Sequence, residues 1–431
     1  MRKLLLIDDT LANKISFYHV LLLLISLPFD YYYSHVILAS FAIHTLIHFK
    51  KSEVKPILTF NTFCLQSVFL VTLLGTIYTH YKPEAFNDMG RQIVIFIFPI
   101  LFCINPLDIK KYRQQLLVIF ALYCTATVAY LFANALHVIH YYHYPVKVLF
   151  SHAFTNHSFS DPIGMHATFF SLQVGIALIC LLSVLVKPCS TITRVLYAFC
   201  CLVLMAGLIQ LSSKSVVAVM LVAISFVLPL YMLSGKKRLA FLSACVVISV
   251  LMVTVLYHSV TFKERYFNSF SKDLTERSAA ETIDSRVTRW SVVLQLIRQS
   301  PVIGYGSGSE VPLLKEAFFK NKLYDSYLNG LNSHNQYLSF WLKSGVGGLL
   351  IYLITLGYGF KIAFKTKDVV FVTFMLLIAV VSLSENIFDV DKGTMFYGLL
   401  YSFLTFSKQR LAAPAKEFKQ KNILAYGQPQ C

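Results

Sequence analysis

Charge is what this chain has least of. Of 431 residues, 14% are Asp, Glu, Lys or Arg while 56% are hydrophobic, and mean hydropathy is +0.63. Soluble domains carry about 25% charged residues, so a water-soluble fold is excluded. Several apolar runs are long enough to cross a hydrocarbon core of ~30 Å. Cysteine is absent from the long polar stretch at about 258–334, so no disulfide framework staples it, and Cys-x-x-Cys occurs nowhere. The same stretch lacks an Asp-x-Asp pair and any Cys/His set with ligand spacing. No internal repeat is visible and the spans are nearly free of charge. Transporters rely on repeats, broken helices and mid-membrane charges, so that class is disfavoured. No cleavable signal peptide is expected; the first span reads as an uncleaved anchor.

The hydropathy pattern predicts an all-α, polytopic membrane protein of about 12 transmembrane helices. The spans fall near 12–28, 31–48, 57–79, 91–106, 115–136, 163–186, 194–211, 215–234, 239–257, 335–361, 368–384 and 394–407. They form one domain over 1–410, followed by a polar tail at 411–431. One large exported loop, about 258–334, separates spans 9 and 10.

Net charge is +17, and its placement decides what it means. Basic residues gather at Lys50-Lys51, Lys110 to Arg113, Lys187 to Arg194, Lys236 to Arg238 and Lys361 to Lys367, and again in the tail from Lys408 to Lys421. The short loops between these groups have almost none. Ten basic residues in the long loop are offset by eight acidic ones. The excess is therefore a positive-inside signal and not a nucleic-acid footprint. Both termini are expected in the cytoplasm, with the long loop on the exported side of a bacterial inner membrane.

Within that loop, Ser285 is placed to cap a helix from Arg286 to about Gln299, ended by Pro301. Val287, Trp290, Leu294 and Ile297 recur at helical spacing and predict an apolar stripe that either lies in the headgroup plane or packs over the bundle. Arg286 in the first turn joins a bidentate donor to the positive end of the helix dipole, a setting for a diphosphate, and Arg289 lies one turn on. Snorkelling to lipid headgroups is the structural alternative for both arginines. Lys214, in Leu211-Ser212-Ser213-Lys214-Ser215, falls at the exported edge in a connection too short to be a free loop. A cation at that depth either snorkels or is functional.

His334 closes the long loop where span 10 begins. An imidazole there can serve as a general base, or simply as an interfacial residue. Asn335 beside it can orient the ring or a substrate. Glu385, Asn386, Asp389, Asp391 and Lys392, between spans 11 and 12, can orient His334 or bind sugar hydroxyls, but they read first as a solvated turn. Six histidines at 137, 140, 143, 152, 157 and 166 raise a metal site. It is set aside, because His-x-x-His-x-x-His puts at most two ligands on one helical face and Asp161 is the only nearby carboxylate. Gly304-Tyr305-Gly306-Ser307-Gly308 follows no strand and reads as a tight turn, not a nucleotide loop.

Together these residues resemble the O-antigen ligase / O-antigen polymerase superfamily. The matching string is Arg286, Trp290, Ser300 to Gly306, His334-Asn335-Gln336-Tyr337-Leu338 and Gly345-Val346-Gly347-Gly348, with Ser212 to Ser215 and Glu385-Asn386 as flanking elements. Lys214 stands where the family usually has arginine, which keeps the charge and loses the fork. The resemblance implies metal-independent, cofactor-free, inverting glycosyl transfer on the exported face, from an undecaprenyl-diphosphate-linked glycan. The acceptor would be lipid A–core for a ligase, another lipid-linked glycan for a polymerase, or a protein hydroxyl. It assigns His334, Arg286 and Lys214 as catalytic, and Arg289, Asn335 and Glu385 as substrate-binding. The alternative classes are a polysaccharide transporter and a scaffold that binds a partner.

Overall fold

The computed structural model describes residues 2–29, 31–51, 57–258, 263–264 and 284–407. Every regular element among them is helical. The expected tail at 411–431, and the acidic residues Asp273, Glu276 and Glu281, lie outside the described residues.

Among the described residues, nine helices of sixteen residues or more precede the long loop: α1 (Leu11–Ser26), α2 (Tyr31–Ile47), α3 (Phe60–Tyr78), α4 (Lys82–Ile104), α5 (Ile109–Tyr141), α6 (Ala167–Leu185), α7 (Thr191–Leu211), α8 (Lys214–Met232) and α9 (Gly235–His258). The described part of the loop contributes α10 (Arg286–Gln299), α11 (Glu310–Lys320) and α12 (Tyr324–Leu328). Three more follow: α13 (Gln336–Lys365), α14 (Val369–Val381) and α15 (Asp391–Phe406). Each of the twelve expected spans thus falls on a helix. Among the described residues seven, α3 to α8 and α13, are long and apolar enough to cross a membrane. For α1, α2, α14 and α15 the difference is one of length, while α9 has 24 residues and is not among the seven. At 1.5 Å per residue a 16-residue helix such as α1 or α15 covers ~24 Å, less than a ~30 Å core.

One apolar core runs through the bundle, with Phe17, Phe98, Phe120, Phe170, Phe371 and Tyr401 fully buried in it. The polar ends sort as the charge pattern predicts: segments expected on one side meet each other. At one end Tyr112 donates to Asp9 at 2.7 Å, and Arg113 pairs with Asp368 at 2.7 Å. At the other, Ser215 meets Ser384 at 2.7 Å, and Gln210 reaches the carbonyls of Leu149 and Phe154.

Helix α10 has the predicted bounds and the predicted cap, with the Thr288 N–H donating to Ser285 Oγ at 3.2 Å. Its buried face is not the predicted stripe. Arg289, Val292, Val293 and Ile297 are buried, while Val287, Trp290 and Leu294 are only half-buried. The reason is tertiary. The face packs on Leu314, Ala317, Phe318 and Leu323 of the loop and on Leu342 of α13, which form a small core of their own.

The glycine loop is more than a turn. Gly304, Gly306 and Gly308 all have positive φ, and the loop is wedged between the α3–α4 hairpin and a break in α13. The break lies at Ser344 (φ −127°) and Gly345 (φ 62°). It releases the carbonyls of Leu342 and Lys343, which accept the N–H groups of Tyr305 and Gly306 at 3.0 and 2.7 Å. Tyr78 adds a bond to the Ile303 carbonyl at 2.8 Å. A Cβ at Gly345 would fall on the Val302 carbonyl, in a backbone conformation that L residues avoid. Gly345→Ala is therefore expected to cost about 3 kcal/mol. It should lower both the yield of monodisperse protein in detergent and its thermal midpoint. Gly347→Ala, into open space two residues on, is the neutral control.

Candidate active site

Glu385 is the hub of the site. It follows α14, where its side chain is only 15% exposed, and its Oε2 lies 3.4 Å from His334 Nδ1. Thr168, in the first turn of α6, donates to the other oxygen at 3.5 Å. Burial alone would raise the Glu385 pKa. The hydrogen bond from His334 and nearby positive charge, that of Arg286 included, outweigh that and hold the carboxyl below its usual value. The solvated turn expected here is thus corrected. Asn386, Asp389 and Lys392 are also buried or largely so, because they have partners inside the fold.

His334 is presented by a pinned backbone. Its φ is 45°, an uncommon region for a side-chain-bearing residue though one histidine visits more than most. The Trp290 indole N–H donates to the Ser333 carbonyl at 2.9 Å, and the His334 N–H donates to Asn332 Oδ1 at 3.0 Å. Asn335 N–H donates to Asn386 Oδ1 at 2.8 Å. Trp290 therefore acts as a strut between α10 and the histidine loop. Asn335 is a helix cap: its side-chain oxygen accepts the N–H groups of Tyr337 and Leu338 at 3.1 and 3.2 Å, so that oxygen is committed to α13 and not to a substrate.

The two expected cations each begin a helix. Arg286 is the first residue of α10, half-exposed and near enough to Glu385 to influence its charge. Lys214 is the first residue of α8. The chain turns from α7 into α8 through Ser212 in a left-handed conformation, and Ser215 then contacts Ser384 next to Glu385. Arg289 is 7% exposed, on the buried face of α10.

The histidine-rich segment divides. His137 and His140 lie in α5, which extends past the expected span to Tyr141. The His157 and His166 rings pack with centroids 4.1 Å apart and planes tilted by 59°, and His166 is near enough to Glu385 and His334 to feel their charge. No group of three His, Cys, Asp or Glu among the described residues has the arrangement of a metal site.

A second polar cluster adjoins the first and went unnoticed in the sequence. Lys343, 8% exposed, lies 3.0 Å from Asp389 and 3.7 Å from Glu310. Glu310 also accepts the Ser333 N–H, the Ser333 hydroxyl and Asn386 Nδ2 at 2.7–2.9 Å. Asp88 accepts the Gly308 N–H at 3.2 Å. Asp88, Glu310, Lys343 and Asp389, with Arg91 and Asn332, line a cavity of about 270 Å³. A lysine eight residues into an apolar helix was the available signal, since such a charge needs partners. Its partners, Glu310 and Asp389, come from two separate segments, which no local pattern reveals.

The chain is helical and carries several membrane-length helices, and a carboxylate–histidine pair lies at one end with Arg286 near enough to act on it. A family model described as O-antigen ligase matches residues 197–353, which include Lys214, Arg286 and His334. Over that segment the chain is similar to the O-antigen ligase family. No curated protein matches it.

Proposed function

We propose that the protein transfers a glycan from undecaprenyl diphosphate to lipid A–core on the exported face of the inner membrane, as an O-antigen ligase. The observation that carries this reading is the His334–Glu385 pair with Arg286 near enough to act on the carboxylate, while Ser215, next to Lys214, contacts Ser384, next to Glu385. Twelve spans, cytoplasmic termini and a single domain over 1–410 belong to the same proposal.

With Nδ1 facing a carboxylate, the proton of a neutral His334 sits on Nδ1 and Nε2 is the free base. The acceptor hydroxyl gives its proton to Nε2 as its oxygen attacks the anomeric carbon. The glycosidic bond to the diphosphate breaks on the opposite face, with inversion. Charge grows on the leaving diphosphate, where Arg286 and Lys214 stabilise it. Glu385, ionised, stabilises the imidazolium that forms. Fixed guanidinium and ammonium groups supply the positive charge that a metal ion would otherwise bring.

Transfer is therefore expected to proceed unchanged in excess EDTA. Loss of activity in purified protein, restored by Mg²⁺, Mn²⁺ or Zn²⁺, would overturn the cation-clamp mechanism. Ligation and polymerisation are separated by supplying purified protein with lipid-linked glycan, with and without lipid A–core. A ligase forms product only when the core is present. Chain extension without it would make the protein a polymerase.

A further inference from the structure

We propose that Thr168 is a positioning residue that holds the Glu385 carboxylate aimed at His334, with the His166 ring as an uncharged spacer nearby. The inference rests on the reading of His334 as the base, and it assigns work to a histidine pair which that reading leaves unused.

The geometry starts at the entry to α6. His166 is the N-cap position, but its side chain makes no capping bond. Its ring instead packs against His157 at 4.1 Å and Phe169 at 5.3 Å. His157 Nδ1 accepts the Ala167 N–H at 3.4 Å, so that nitrogen carries no proton and His157 is held in its Nε2–H form. Two residues past His166, Thr168 reaches Glu385 Oε1 at 3.5 Å, while His334 takes Oε2 at 3.4 Å. Glu385 is thus gripped from two helices that are far apart in sequence, one oxygen to each.

The electrostatics follow from this packing. The groups facing Glu385 are His334, His166 and Arg286, with His157 behind His166. Burial pushes His166 down to about 4, which outweighs the attraction of Glu385. His166 is therefore neutral at physiological pH. A cation there would compete with His334 for the one carboxylate that stabilises its imidazolium. A neutral ring fills the space and leaves the Glu385 charge to His334. Thr168 supplies a donor that favours the ionised form of a carboxyl which burial would otherwise protonate.

The test is a set of four full-length variants in nanodiscs. They are read by pH–rate profiles of glycan transfer and by NMR titration of the His334 ring. Thr168→Val should lower kcat about tenfold with the acceptor KM unchanged. It should also move the His334 titration, and the acid limb of the profile, to lower pH, because the stabilising anion is lost or displaced. Thr168→Ser should restore both. His166→Gln, neutral, should stay within about threefold of the parent, whereas His166→Lys should lose about a hundredfold and depress the His334 titration. A Thr168→Val profile that falls without shifting, or a His166→Gln variant as impaired as His166→Lys, would overturn the proposal. The NMR arm reads the Glu385–His334 pairing directly. Normal transfer by His334→Ala would therefore defeat the base assignment while leaving the positioning claim to be judged on its own.

Discussion

His334→Ala is expected to abolish glycan transfer while the protein still inserts and accumulates. Loss of a general base typically costs ~10²–10⁴ in rate. The site gives the substitution little structural reason to fail otherwise. The ring is 28% exposed, and the loop is held by bonds to neighbouring atoms: Trp290 to the Ser333 carbonyl, Ser333 to Glu310, and Asn335 to Asn386. Complementation of a ligase-deficient strain and an in vitro transfer assay provide the check. Near-normal product from the alanine variant, at parental protein levels, would remove His334 from the mechanism. Glu385→Gln should be impaired as well but less severely, since a neutral amide keeps a hydrogen-bond acceptor and loses only the charge that stabilises the imidazolium.

Arg286 and Lys214 carry the second large effect. Arg286→Ala should lower transfer by ~10²–10³, the usual cost of removing a preorganised donor from developing negative charge. Arg286→Lys should recover only part of it, because one ammonium cannot reproduce two parallel N–H bonds to a phosphate. Lys214→Ala should be comparably impaired. Lys214→Arg should be tolerated, because Lys214 sits at a helix start where the longer fork can still reach the half-open site. The deciding measurement is donor KM and kcat for each variant on a lipid-diphosphate glycan. Full activity with normal donor affinity in both alanine variants would end the diphosphate-clamp assignment.

The features legible in the sequence were those that depend on near neighbours. Apolar runs placed a helix at each of the twelve expected spans. The Lys and Arg distribution sorted the loops into two sets, and the members of a set meet in the fold. Ser285 and Pro301 bracketed α10, whose bounds are Arg286–Gln299 as expected. Capping, helical hydrophobicity and loop charge act over a few residues, so composition and spacing suffice to determine them.

Tertiary structure decided which of the polar candidates cooperate. Glu385 and His334 are 51 residues apart, and Glu385 and Thr168 are 217 apart. Nothing in either local pattern distinguishes a paired, buried carboxylate from one in a solvated turn. The buried face of α10 was misjudged for the same reason: it is set by the loop core around Phe318 and Leu342 and not by the helix's own most apolar stripe. Asn335 proved a cap, and the glycines from Gly304 to Gly308 proved to be close-approach points against other helices. Buried charges are stable only with partners, and here the partners of Lys343, Glu385 and Glu310 come from chain segments that only the fold brings together.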